Sequence, residues 1–398
     1  MHALDIVQQL LRSCCPHIHR ARLKVILAAV AAAVRGRRLT LTELGRALVG
    51  PARVKHNIKR IDRLLGNRHL QAERLVVYQA LACRILGTLR EPLIVVDWTD
   101  LTADRRWQLL RAAAPIGGRC LTLYEEVHPL SHFGNPRVHR AFLAKLKALL
   151  PETVTPILIT DAGFRAPWFK SVNRLGWHWI GRIRNRTYLR AHSTQSWIAC
   201  KSLYRSAHAR PRTLGAYDIV RSNPVAGWLY LIKRPKQYRV HKSVFGQRVR
   251  SHHSLKKARA QREPWLLAAS PSLSHLKAAQ IINVFATRMQ IEEAFRDLKC
   301  TRYGLGLELH LSRTRERLAA LLVIAALAFF VLWLVGQAAL ARQLQFQYQS
   351  NTRRSRPVLS LFNLAGLFVR HAVEQLLPRA LPHLDLPLAP PRPLANPL

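Results

Sequence analysis

From Pro92 onward the chain alternates short apolar runs that stop at an acid with longer amphipathic stretches. PLIVVDWTDL and PILITDAGF each read as a buried strand, closing on Asp97 and Asp161. Between them, RWQLLRAAAP and RCLTLYEEVHPL have the texture of two further strands, joined at Gly117-Gly118. Residues 138–150 are amphipathic with a helical period, a short helix follows around Trp168 to Leu175, and WHWIGRIR is another strand. Strands interleaved with helices predict an α/β layer. Upstream, residues 1–34 are rich in Leu and Ala and read as helical. Thr40 and Glu43 have the spacing of a capping box, and Gly50-Pro51 breaks the helix they start. Val54, Ile58, Ile61 and Leu65 then share one face of a second helix, ended by Gly66-Asn67. Helical character returns after Pro271 and runs to Arg342. The tail LPHLDLPLAPPRPLANPL is Pro-rich and expected to be disordered.

One stretch fits two environments. Leu318 to Ala341 holds no charged residue and is long enough to cross a bilayer. A helix buried on all sides inside a large domain has the same pattern. It is a single segment, following directly on charged sequence, which favours the buried helix.

Charge narrows the partner class. The 398 residues carry 63 Lys+Arg against 21 Asp+Glu, a net charge of +42. That excess attracts polyanions over long range and has no use with small neutral substrates. Nucleic acid is the leading partner, since each neutralised phosphate releases counterions; an anionic membrane surface is the rival. Arg53, Lys55, Lys59, Arg60 and Arg63 lie largely off the apolar face of the second short helix, which suggests a helix-turn-helix that binds DNA. An ordinary amphipathic helix with a solvated basic face remains open. Residues 182–262 hold 20 Lys+Arg and one acid, Asp218, with Trp and Tyr interleaved. This composition suits a nucleic-acid platform or a twisted β-insertion whose aromatics pack together. The six cysteines form no CxxC and read as reduced core thiols in a cytoplasmic protein.

Acids in so basic a chain need a reason. Ligands gather beyond the carboxyl ends of strands in α/β sheets, where Asp97 and Asp161 fall. Glu292, on a later helix, adds a third oxygen donor. Three hard donors from separate elements suit Mg²⁺, with Mn²⁺ substituting. Two such ions about 3.5–4 Å apart can clamp both oxygens of a phosphoryl displacement. Arg288 stands four residues before Glu292 and Lys299 seven after, roughly on one helical face. Carboxylate and phosphate-binding cations would then work together; a surface helix with ordinary ion pairs is the alternative.

The stretches LTLTELGR, KHNIKRIDRLLGNRHL, IVVDWTD, LYEEVHPL, TDAGFRAPWFKSVNRLGWHW, EPWLLA and RMQIEEAFRDLK…YGLGL, between residues 39 and 307, carry a specific resemblance that extends over about residues 4–336. The chain resembles the cut-and-paste DDE transposases of bacterial insertion sequences, family four, and most closely the transposase of insertion sequence ten. The resemblance implies an RNase H-like catalytic core (89–184 and 266–345) interrupted by a β-rich basic insertion (185–265). An N-terminal helical DNA-binding domain (1–88) and a helical, Pro-rich tail (346–398) complete it. It assigns the metal ligands to Asp97, Asp161 and Glu292 and the phosphate contacts to Arg288 and Lys299. Phe285 stands where the family has Tyr, so the ring is kept and the hydroxyl lost. Trp265 falls at the position that stacks on a flipped base at a DNA hairpin. The implied activity is Mg²⁺-dependent cleavage at the transposon ends through a hairpin, then joining of 3′-OH ends to target DNA. A homodimer bridging two ends, a nucleoid-associated location in a bacterial cytoplasm and no membrane span are implied as well. The alternative is an inactive relic that only binds DNA.

Overall fold

The computed structural model describes residues 3–235, 247, 251–252, 255, 263–353 and 355–375. Most of the basic stretch after residue 235 and the Pro-rich tail, expected to be disordered, lie outside the described residues. In chain order the elements begin with α1 (Ala3–Cys14), α2 (Arg20–Gly36), α3 (Leu41–Arg46), α4 (Val54–Leu65) and α5 (Arg68–Leu86). Then come β1 (Leu93–Asp100), β2 (Trp107–Pro115), β3 (Cys120–Pro129), α6 (Pro136–Leu149), β4 (Ile157–Thr160), α7 (Ala166–Arg174) and β5 (His178–Ile183). β6 (Tyr188–Ala191), β7 (Ile198–Ala199), β8 (Arg212–Ile219), β9 (Val225–Ile232) and β10 (Trp265–Ala269) follow. The last helices are α8 (Ala278–Ala286), α9 (Met289–Lys299), α10 (Arg315–Ala341), α11 (Gln345–Tyr348) and α12 (Leu361–Gln375). This is a mixed α/β protein.

The described residues divide into two compact units. The first draws on Met1–Asn135, Ala144–Val154 and Met289–Ala395. In it β1, β2 and β3 form an antiparallel meander, turned at Gly117 and Gly118, both with positive φ. A bulge between Ala112 and Ala113 shifts the β2–β3 register. The helical part is organised by α10, which packs on α1, α2, α4, α5, α12 and β3. Its apolar length would suffice for a bilayer, but 94% of its most apolar 18-residue window is buried among these neighbours. Gly336 of α10 lies where a Cβ would strike Leu361, so α12 docks closely there.

The N-terminal pair of short helices has a specific cause. Thr40 Oγ1 accepts from Glu43 N–H at 3.2 Å and caps α3. Half of the expected capping box forms, because the Glu43 carboxylate turns instead to Arg46. A Cβ on Gly45 would meet Ile58 Cα at 2.6 Å, so only glycine lets α3 lie on α4 here. Ile61, Leu64 and Leu65 are buried, whereas Val54, expected on the same face, is exposed at the start of α4.

The second unit draws on Pro136–Leu143 and Thr155–Arg288. β4 and β5 are parallel, joined by α7 as a βαβ crossover. The sheet continues antiparallel through β10, β9 and β8 to β6 and β7. The strands of the basic stretch therefore extend the sheet of β4 and β5 through β10. Gly181 is a close approach: a Cβ there would strike Phe169 of α7, whose ring stacks on Trp179 at 4.1 Å. All six cysteines are free thiols, but Cys14 and Cys83 are exposed rather than in the core.

Candidate active site

Asp97 sits midway along β1, where burial gives way to partial exposure, and its Oδ1 accepts from the Trp98 N–H at 2.8 Å. Asp161 follows β4 directly; its Oδ1 accepts from the Gly163 N–H at 2.7 Å, and a Cβ on Gly163 would crowd it. Glu292 is in the first turn of α9 and exposed. Asp97 and Glu292 belong to the first unit, on elements that pack together; Asp161 belongs to the second. Among the described residues no three His, Cys, Asp or Glu side chains are grouped closely enough to hold a metal ion. The donor chemistry suits a hard divalent cation, since all three candidates are carboxylates, Asp97 and Asp161 half-buried and Glu292 exposed.

Four contacts fix α9 within the first unit. The Gly118 N–H donates to Gln290 Oε1 at 3.0 Å, and Arg119 pairs with buried Asp297. Phe295 carries the Arg111 guanidinium 5.2 Å above its ring. Lys299 Nζ donates to Thr99 Oγ1 of β1 at 2.6 Å. Burial lowers the Lys299 pKa, and Asp100 partly offsets this. The two neighbouring acids in RMQIEEAF thus have different surroundings. Glu293 turns to Arg296 and to Arg119, the latter at 3.8 Å, and anchors the helix. Glu292 is the more exposed of the two.

Behind Asp97 lies a polar row that the sequence reading left without a role. Asp97 is in register with Arg111 of β2, and Arg111 with Glu125 of β3. Arg111 and Glu125 are almost fully excluded from solvent. Arg111 Nε donates to Glu125 Oε2 at 2.7 Å, its Nη2 lies 2.6 Å from the same oxygen in the ion pair, and Tyr78 Oη donates to Oε1 at 3.0 Å. On the other face of β3, Glu126 accepts from His128 at 2.7 Å, from Lys145 at 2.6 Å and from Tyr124. Burial alone would raise the Glu126 pKa; these hydrogen bonds outweigh it and bring the carboxyl to about 2.

In the second unit Trp265 opens β10, in register with Ile232. Its ring meets the buried Phe285 edge-on at 5.1 Å, and the Arg234 guanidinium lies 4.5 Å over its face. Arg288 closes this unit just after α8. Near it, Arg182 of β5 was not singled out by the sequence reading. Its Nε and Nη2 are buried and have no hydrogen-bond partner among the described residues, and the same holds for the Tyr204 hydroxyl. Burial, then the neighbouring Arg184, bring the Arg182 pKa down to about 10, with Tyr204 and Glu263 opposing and Arg288 adding to the fall. Arg184 itself is paired with Glu263 at 2.8 Å. The only signal in sequence was basic alternation in GRIRNR, too common in this chain to stand out.

On α4, Arg53, Lys55, Lys59 and Arg63 are exposed and Arg60 is half-buried, opposite the buried Ile61, Leu64 and Leu65. The basic face is open to solvent.

Comparison with known proteins defines the class. The transposase DDE domain family matches residues 88–331, more than half of the chain and a span that contains Asp97, Asp161 and Glu292. The chain belongs to this family of DDE transposases. Among solved structures it is similar to a piggyBac transposase synaptic complex with hairpin DNA, seen by cryo-electron microscopy. That match has a TM-score of 0.42 and 10% identity, covering 94% of this chain and 78% of the other. No curated protein matches the sequence.

Proposed function

We propose that this transposase is a cut-and-paste enzyme of the insertion sequence four family, nearest to that of insertion sequence ten. It binds the terminal inverted repeats of its element, excises it through a hairpin and joins the 3′-OH ends to target DNA. The observation that carries the reading is the placement of three carboxylates, on β1, after β4 and in the first turn of α9, inside the span matched by the family. Asp97, Asp161 and Glu292 would hold the divalent ions, within an RNase H-like core. Mg²⁺ or Mn²⁺ bound there supplies Lewis-acid polarisation of the scissile phosphate and a water of lowered pKa.

The chain's own residues then order the reaction. Water hydrolyses one phosphodiester at each end, and the freed 3′-OH attacks a phosphate of the opposite strand, closing a hairpin as the flanking DNA leaves with its own 3′-OH. A second water hydrolyses the hairpin phosphodiester and restores the 3′-OH, which attacks a target phosphate and displaces the target strand's 3′-OH. Arg288 and Lys299 neutralise phosphate oxygens at the reacting strand, with Arg182 an added donor beside Arg288. Trp265 receives the base flipped out at the hairpin; a flat base would replace the flat Arg234 guanidinium on the ring, which offsets part of the stacking lost from the duplex. Phe285 offers no hydroxyl for the phosphate contact that the family's Tyr makes. The basic face of α4, with Arg53, Lys55, Lys59, Arg60 and Arg63, grips the ends as part of an N-terminal DNA-binding helix-turn-helix. The acting form is a homodimer spanning two ends, at the nucleoid.

The test is cleavage of DNA carrying the element's own inverted repeats. Mg²⁺-dependent nicking and hairpin formation are expected, and both should fall by at least about 10³-fold in Asp161→Ala. Equal cutting by that variant would remove the reading. The missing hydroxyl at Phe285 favours a second reading, a relic that binds ends without cutting; it predicts a gel shift with no nick even in Mn²⁺.

A further inference from the structure

We propose that the buried Arg111–Glu125 pair, braced by Tyr78, is a positioning device that sets the helix of Glu292 against the strand of Asp97; it rests on the transposase reading. All the residues involved lie in the first unit.

The pair is costly as a source of stability. Taking two charges out of water has a penalty of several kcal/mol per ion, and apolar residues of similar volume often do as well or better at one site. Here both side chains are essentially dry, at 2% and 0% exposure, in a meander whose buried positions are mostly apolar. What an apolar pair could not do is hold a cation at a fixed place. The planar guanidinium is clamped twice on one oxygen of Glu125, and Tyr78 occupies the other oxygen. Neither side chain can rotate without breaking a bond.

The clamped cation faces two ways. Along the sheet it is the direct cross-strand neighbour of Asp97, whose Cβ lies within about 4.5–5.5 Å of its own by antiparallel geometry. Across the sheet it lies over Phe295 of α9. Phe295 is three residues on from Glu292, so the two are adjacent on the helix surface. The same ring has Lys299 Nζ 5.9 Å from its centre, and that ammonium is tied to Thr99, two residues beyond Asp97. One aromatic ring between two cations, one in register with Asp97 and the other hydrogen-bonded to Thr99 of β1, fixes how far α9 is turned and slid. A displacement of about 1 Å in a catalytic group can cost about 10²-fold in rate.

The experiment uses the full chain with both charges removed together, Arg111→Met/Glu125→Met, so that no unpaired ion is left behind. Four quantities are measured. Thermal unfolding and gel-shift affinity for end DNA report the fold; Mn²⁺ bound to the DNA-free protein, by electron paramagnetic resonance, and the Mg²⁺ half-saturation of end cleavage report the positioning. The expected result is parent-like unfolding and DNA affinity, with Mn²⁺ affinity weakened and Mg²⁺ half-saturation raised about tenfold. Unchanged metal dependence in the folded double variant would overturn the proposal. Tyr78→Phe keeps both charges and frees one Glu125 oxygen; it should shift metal dependence about two- to threefold in the same direction. Should the double variant not fold, Tyr78→Phe decides, and no shift in it overturns the proposal. A parent protein that binds Mn²⁺ yet makes no cut in its own end DNA overturns the transposase reading instead, and the Mn²⁺ comparison still judges the pair.

Discussion

Arg111 and Arg182 are both arginines on interior strands with nitrogen atoms removed from water, and they are treated in opposite ways. Arg111, in the first unit, has a dry carboxylate clamped to it and that carboxylate is braced by a phenol. Arg182, in the second, has Nε and Nη2 buried with no partner among the described residues, while Arg184 beside it takes up Glu263. A buried donor left unpaired costs free energy, so a fold keeps one where something else completes it. The difference separates cations that hold the protein together from cations that await an anion. In a chain of net charge +42, that distinction cannot be read from charge alone.

Three measurements sharpen or break the comparison. The largest effect is expected for Arg111→Met alone, which strands Glu125 in the interior. Chemical denaturation should show a loss of about 3–5 kcal/mol. A loss below about 1 kcal/mol would mean that Arg111 is not structural in this sense.

Next comes Glu126, another clamped acid of the first unit. Its folded pKa, about 2, lies below its ordinary 4.5. A depressed acid stabilises the fold above the unfolded pKa, and that contribution is lost as pH falls from about 4.5 toward 2. The loss should approach roughly 3 kcal/mol in a pH series of denaturant melts. Glu126→Gln should flatten the curve in that window; an unchanged curve would put the acid sensitivity elsewhere.

The smallest effect on stability belongs to Arg182→Gln. Unfolding should change by no more than about 0.5 kcal/mol or improve slightly, because a desolvated, unpaired cation is removed. DNA-end binding should weaken about tenfold, with the slope of log affinity against log salt reduced by about one. An Arg182 variant that unfolds readily and binds DNA normally would reverse the contrast with Arg111.

Much of this architecture was legible in the chain. LIVVD and ILITD announced β1 and β4 because a buried strand needs an uninterrupted apolar run, and each run closes on an acid at the point where burial relaxes. The Gly117-Gly118 turn was readable because positive φ favours glycine. The long apolar run was ambiguous, since bilayer and protein interior select the same side chains; only its neighbours resolved it. Glu125, Arg111 and Arg182 were invisible for another reason. Their meaning depends on cross-strand register and on whether a partner stands opposite, and both are set by pairings distant in sequence. The sequence singled out Glu292 by its spacing to Arg288 and Lys299; that Glu293 turns to Arg119 and Arg296 was not readable there.

The embedded helix α10 has a consequence for biosynthesis. It supplies the wall against which α1, α2, α4 and α5 close, yet it is translated more than two hundred residues after them. Contacts so remote are slow to form, and their absence leaves greasy surface uncovered. A nascent chain halted before residue 341 lacks the piece that seals its amino-terminal half, so prematurely terminated products should aggregate or be degraded rather than persist as free-standing DNA-gripping fragments.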